Sequence, residues 1–241
     1  MLAVARRNLI RPNPFRFPGG KTGFNPNHIA LVGGGPLRFS GISALSGNFI
    51  DVMTGAAGSI NGSLTPSIDS AIGPKVTFAD ATTARTDFSG KSGVADASVC
   101  LAAIFRFSSG SAFQFMLLAG SASGWGIGTS GGANLSLESY GGSSIDSGLP
   151  VATGVPYFAI VSGNASASTF LLLNLSTGQI KTATSTGSSS IGCNGTYRVG
   201  NAAGGSSNSA TGVSAVMCSA NYLSATEALQ WAQSPWSFWY S

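Results

Sequence analysis

From about residue 28 onward, short apolar or alternating stretches are separated by clusters of Gly, Ser and Asn, the pattern of strands joined by turns. The longest stretch, Ser98 to Phe107, puts Val99, Leu101, Ala103, Phe105 and Phe107 on one face, as a period of two requires. Further strands are expected over His28 to Val32, Leu37 to Ile42, Asn48 to Met53, Lys75 to Ala79, Ala112 to Ala119 and Gly124 to Gly128. The series continues with Ala133 to Glu138, Pro156 to Val161, Thr196 to Val199 and Gly212 to Ser219. Thr169 to Leu175 and Gln179 to Thr184 read as a hairpin across Ser176-Thr177-Gly178. Several strands are apolar on both faces, which fits two packed sheets. One helix is expected: Ser224-Ala225-Thr226-Glu227 spells a capping box, Ala228, Leu229, Trp231 and Ala232 give the apolar positions, and Pro235 ends it. The predicted fold class is all-β, a two-sheet antiparallel sandwich with an extended N-terminal arm and one short C-terminal helix.

Composition supports a folded, turn-rich chain. Only 8 % of the 241 residues are charged and 43 % are hydrophobic, whereas disordered chains are apolar-poor and charge-rich. No run approaches the roughly 18 apolar residues of a membrane helix. Leu2 to Ala5 is too short for a secretory signal and is followed by Arg6-Arg7. Cys100, Cys193 and Cys218 are odd in number, widely spaced and without a Cys-x-x-Cys, so buried free thiols are expected.

Charge divides the chain. The first 50 residues hold six basic residues and no acid, and the other 191 hold six bases and eight acids. Residues 1–27 also contain Pro12, Pro14, Pro18 and Pro26, which favour extended backbone. This segment reads as a basic arm whose Arg6, Arg7, Arg11, Phe15, Arg16, Phe17, Lys21 and Phe24 form a partner-binding surface, ahead of a β domain over 28–241. A protein partner is expected; a nucleic acid is not.

Catalytic chemistry finds little footing. No two of the eight acids stand two or four apart, so no strand presents the paired carboxylates of a glycosidase. Gly128-Thr129-Ser130-Gly131-Gly132 matches a serine-nucleophile pattern, but it arises by chance in a chain with 34 glycines and so much serine. The dinucleotide-like Gly126 to Gly131 run has no helix after it, and Gly20-Lys21-Thr22 lacks the first glycine of a phosphate loop, with Phe15 in its place. His28 is the single histidine. No catalytic residue, cofactor or metal site is predicted. Glycan binding needs only an aromatic ring for the apolar face of a sugar and polar groups for its hydroxyls. Trp125 and Tyr140, in the most glycine-rich loops, are the candidates, with core packing or loop anchoring as the competing role.

The order of motifs over residues 47–240 resembles the laminin-G-like, concanavalin A-like jelly roll found in lectins, pentraxins and many tailed-bacteriophage proteins. The hairpin Phe170 to Thr182, the Tyr197-Arg198-Val199-Gly200-Asn201 strand, and Val213 to Cys218 followed by Leu223-Ser224-Ala225-Thr226-Glu227-Ala228-Leu229 carry this resemblance. Asn48 to Gly55 matches more loosely, and Ser234-Pro235-Trp236 resembles a tail common in phage members. Asn221-Tyr222 replaces the family's usual arginine before Leu-Ser, and no counterpart of the calcium loops is seen. The resemblance implies a non-catalytic virion protein: a capsid decoration protein on the particle surface, made in the host cytoplasm and tied by its arm to the major capsid protein and to copies of itself. The alternative it implies is a carbohydrate-binding module of a tail fibre or adhesin that recognises host glycans.

Overall fold

The computed structural model describes residues 28–32, 35–44, 46–78, 84–89, 96–107, 114–119, 124–130, 133–139, 144–186, 195–200 and 211–239. The arm and Tyr140 lie outside this set.

Two antiparallel sheets face each other. The nine-stranded sheet contains β14 (Ile180–Thr186), β13 (Ala167–Asn174), β12 (Pro156–Asn164), β7 (Ser98–Phe107), β16 (Thr211–Ser219), β1 (Leu37–Ser43) and β2 (Phe49–Asp51), in that order. β5 (Gly73–Phe78) branches from β16 and carries β4 (Leu64–Asp69). The seven-stranded sheet runs β11 (Ile145–Pro150), β10 (Asn134–Ser139), β9 (Trp125–Thr129), β8 (Gln114–Ala119), β15 (Tyr197–Gly200), β6 (Arg85–Phe88) and β3 (Ser59–Asn61).

Alternation explains the doubly apolar strands. In β7, Val99, Leu101, Ala103, Phe105 and Phe107 enter the core between the sheets. Cys100, Ala102 and Ile104 face the other way, into a second apolar layer. β12 and β13 do the same, with Phe158, Ile160, Leu171 and Leu173 pointing outward from the sandwich. That outer layer is capped by α2 (Ala225–Ala232) and the C-terminal Phe238 and Trp239. The central strands are thus apolar twice over because one face meets a sheet and the other a helix.

The α2 N-terminus is the predicted capping box: Glu227 N donates to Ser224 Oγ at 3.4 Å, and Ser224 N donates to Glu227 Oε2 at 2.8 Å. The expected strand at His28 to Val32 is instead a one-turn helix, α1 (Ile29–Val32). His28 decides this locally. Its Nδ1 accepts from Ala30 N at 3.2 Å and its carbonyl from Leu31 N at 2.8 Å, so the turn satisfies the backbone without a strand partner. The thiol expectation needs one correction as well. Cys100 is a buried free thiol whose pKa burial pushes upward, but Cys218 is disulfide-bonded.

Candidate functional site

The outer face of the seven-stranded sheet holds the polar chemistry, because both helices pack on the other sheet. Its inward positions are apolar: Trp125 and Ile127 on β9, Leu135 and Leu137 on β10, Tyr197 and Val199 on β15. The residues between them therefore face out. Cross-strand pairing lines them up as Asp87, Arg198, Leu118, Gly126 and Glu138. A second row passes through Phe115, Gly128, Ser136 and Asp146.

The middle of this face is a glycine floor. A Cβ on Gly126 would lie 2.8 Å from the Leu117 carbonyl oxygen, 3.2 Å from Leu118 Cδ1 and 3.3 Å from Phe115 Cδ1. The Phe115 and Leu118 side chains thus lean over β9 into space that only glycine leaves free. Leu118 is buried, while Phe115 keeps partial exposure. An irregularity in pairing between Phe115 and Leu117 turns Phe115 to the same face as Leu118.

On one side of the floor stand two carboxyl groups. Glu138 is 3 % exposed and accepts from the hydroxyls of Ser136 and Ser144. Burial pushes its pKa up, the two serines act against this, and the charge of Asp146 adds to the rise. Asp146 lies diagonally across on β11 and accepts from the Ser130 hydroxyl, from Gly148 N at 2.6 Å and from Asn134 Nδ2 at 3.3 Å. Partial burial pulls its pKa upward, but these hydrogen bonds outweigh that and hold it below the usual carboxylate range.

On the other side is a cationic cluster. Asp87 accepts from Arg85 Nε at 3.0 Å on each oxygen, and from Asn61 Nδ2 at 3.0 Å. The Arg198 guanidinium approaches the same carboxylate, Nε to Oδ1, at 3.6 Å. The Nε and Nη1 of Arg198 are buried and have no hydrogen-bond partner. The surface is chemically graded: two guanidinia sharing one carboxylate, an apolar floor with an aromatic ring, then two carboxyl groups among serines. Such a surface can hold a polyhydroxylated ligand by ring stacking and hydrogen bonds.

Trp125 is not on this surface. Its side chain packs in the core between the sheets and is 8 % exposed, which is the packing role named beside the glycan role. Tyr140 and all eight arm residues, Arg6, Arg7, Arg11, Phe15, Arg16, Phe17, Lys21 and Phe24, lie outside the described residues. Sequence reasoning passed over Phe115, Glu138 and Arg198. Among the described residues no group of three or more His, Cys, Asp or Glu could hold a metal ion, and no helix is long and apolar enough to cross a membrane. A hollow lined by Pro150, Tyr157, Leu172, Asn174, Gln179 and Lys181 measures only about 30 Å³.

No protein-family model matches the chain, and no curated protein does. Solved structures match in fold. The binding domain of Paraclostridial Mosquitocidal Protein 1 is similar at a TM-score of 0.57 and 10 % identity, over 83 % of this chain and 52 % of that one. The binding domain of botulinum neurotoxin DC, in complex with SialylT, gives 0.56 at 11 % identity, over 82 % and 51 %. The chain therefore spans about half the length of these toxin binding domains. Domain 4 of AbnA, an extracellular arabinanase from Geobacillus stearothermophilus, in complex with arabinotriose, gives 0.60 at 12 % identity, over 83 % of this chain and 99 % of that one. At these identities the likeness is one of fold. The two-sheet antiparallel sandwich that the resemblance implied is met; its bacteriophage part finds no support in these structures.

Proposed function

We propose that this protein is a non-catalytic carbohydrate-binding module whose site is the outer face of the seven-stranded sheet. The observation that carries the reading is the partly exposed Phe115 ring beside Gly126 and Gly128, with hydrogen-bonding groups on both sides. A sugar ring stacks its C–H face on such an aromatic and presents its hydroxyls to the exposed Ser144 and Asp146. The neighbours in complex with SialylT and with arabinotriose support the reading, since both are glycan complexes on a similar fold. A glycan array on the full chain tests it. Binding that disappears in Phe115→Ala and survives in a surface control such as Ile68→Ser supports the site. Binding unchanged in Phe115→Ala moves it elsewhere.

A second reading rests on the arm. Six basic residues and no acid in the first 50 residues favour attachment to a partner surface, as in a capsid decoration protein of a tailed phage anchored to the major capsid protein. Light scattering on the full chain and on a variant with Arg6, Arg7, Arg11 and Arg16 changed to alanine tests it. Association lost in the variant supports the arm as an assembly device; equal association in both removes it. The two readings are compatible, because a surface protein of a particle can also hold host glycans.

A further inference from the structure

β14 ends the nine-stranded sheet, and among the described strands β13 is its only partner. Asn174 N donates to the Gln179 carbonyl at 2.9 Å, which makes these two residues a hydrogen-bonded pair. In an antiparallel ladder such pairs recur at every second residue, so Lys181, Ala183 and Ser185 also turn their backbone groups toward β13. Ile180, Thr182, Thr184 and Thr186 turn theirs away from the sheet. All four are exposed. All four are also β-branched, the kind of side chain that fits a strand.

The other sheet margins are blunted. β2 and β3 have three residues each, and Ile50 of β2 is bridged to Ala57. β4 holds Pro66, and β11 holds Pro150 and pairs irregularly with β10. Short strands, prolines and bulges stop a sheet edge from recruiting another chain. β14 runs seven residues without proline or glycine and pairs with β13 without irregularity. Its one charge, Lys181, points to the inner side, where it lines a hollow with Tyr157 and Pro150.

The strand is also complementary to itself. An antiparallel pair centred on Ala183 sets Ile180 of one copy opposite Thr186 of the other, and Thr182 opposite Thr184. Every outward-turned residue then meets another, which gives about eight main-chain hydrogen bonds. This is the one register that uses all seven residues. It sets Lys181 opposite Ser185, so the two lysines stand about 14 Å apart along the strands, beyond the screening length of about 8 Å at physiological salt.

We propose that β14 is a self-association edge, through which two copies of the chain join, antiparallel and centred on Ala183, into one continuous sheet. The partner is a second copy because length, pattern and charge all match when the strand meets itself. This interface uses neither the seven-stranded sheet nor the arm residues, so it stands or falls apart from both readings above.

Sedimentation equilibrium tests this on the full chain and on the full chain with Arg6, Arg7, Arg11 and Arg16 changed to alanine, in which association through the arm is removed. Both are expected to dimerise. Thr184→Pro should raise the dissociation constant at least tenfold; the Thr184 amide faces away from β13, so proline there breaks no bond within the chain. Thr182→Lys with Thr184→Lys sets lysines opposite each other and should give monomer. Thr182→Glu with Thr184→Lys sets unlike charges opposite and should restore the dimer. Amide exchange on the unmutated chain needs no variant to fold. The Thr182 and Thr184 amides should slow at least tenfold as concentration rises, while those of Lys181 and Ala183, bonded to β13, stay slow throughout. A chain that is monomeric at millimolar concentration overturns the proposal. So does a dimer indifferent to these variants, or exchange at Thr182 and Thr184 that does not change with concentration.

Discussion

The indole Nε1 of Trp239 donates to Ser40 Oγ at 3.1 Å, across 199 residues of chain. Both side chains are buried, so the bond fastens the C-terminal aromatic cluster to the first strand of the larger sheet. Trp239 also packs on Trp231 and Phe238, at centroid distances of 6.1 and 5.4 Å.

Breaking this tie has a defined signature. Trp239→Phe keeps most of the packing but leaves the Ser40 hydroxyl without its donor, and Ser40→Ala leaves the indole without its acceptor. Each is expected to cost about 1–3 kcal/mol in urea unfolding. The double variant is expected to cost less than the two singles combined, because both unpaired groups are removed together. Trp239→Ala opens a cavity and is expected to cost about 3–5 kcal/mol.

His28 gives the fold a pH dependence. Its Nδ1 accepts from Ala30 N, so the proton sits on Nε2, which donates to Ser237 Oγ at 3.0 Å. The ring lies edge-on to Trp231 and Phe238, at 4.5 and 5.3 Å between centroids. Burial lowers its pKa to about 4. The unfolded chain takes up a proton near pH 6.5, while the folded chain resists until about 4. Stability therefore falls as the pH drops through that window, by up to about 3 kcal/mol, and shows no His28 contribution above pH 6.5. Melting temperatures of the protein and of His28→Gln from pH 7.5 to 4 check this. The variant's curve should be flatter between 6.5 and 4. Parallel curves would mean that His28 does not carry the dependence.

Much of this fold is legible in the sequence, for a physical reason. β7 emerges with its observed ends because Val99 to Ile104 alternate between two apolar layers and Phe105 and Phe107 extend one of them. The α2 cap is equally plain, since the Ser224 and Glu227 spacing is a hydrogen-bond geometry. β3, β4, β6 and β11 are missed. β3, β4 and β11 lie at sheet margins, and β4 and β11 contain Pro66 and Pro150. Edge strands need no continuous apolar face, so their sequences carry little pattern. The site is harder to read, yet one signal was present. In Trp125-Gly126-Ile127-Gly128 the large residues share a face, so Trp125 must follow Ile127 inward. Phe115 needed knowledge of the pairing irregularity at β8, which no local pattern reveals.

Glu138 separates function from stability. Burial disfavours its charged form, and no cation among its described partners compensates. Because its folded pKa is raised, the favourable contribution is complete below the unfolded pKa and is lost as pH rises through the folded value. Glu138→Gln is therefore expected to raise the melting temperature at pH 7 and to change it little at pH 4. The amide can still accept from one serine and donate to the other. At 3 % exposure Glu138 is out of a ligand's reach, so the same variant should leave glycan binding unchanged while the protein becomes more stable. A variant that is less stable at pH 7 would mean that the carboxylate holds the strand in place.

The two aromatics of neighbouring strands β8 and β9 should behave oppositely. Trp125 fills the core between the sheets, so Trp125→Ala is expected to cost about 3–5 kcal/mol. Its effect on glycan binding should follow only from unfolding. Phe115 is partly exposed on the outer face, so Phe115→Ala should cost less stability and remove at least tenfold in affinity. Gly126→Ala joins the two effects. Its new methyl group meets the Leu117 carbonyl oxygen at 2.8 Å and crowds Leu118 and Phe115. Overpacking of this kind costs about 1–3 kcal/mol, and the floor on which a sugar would lie rises with it. Affinity should therefore fall in the folded fraction of Gly126→Ala, measured well below its melting temperature. If Trp125→Ala abolishes binding in protein that is still folded while Phe115→Ala and Gly126→Ala bind normally, the binding surface is not the outer face of the seven-stranded sheet.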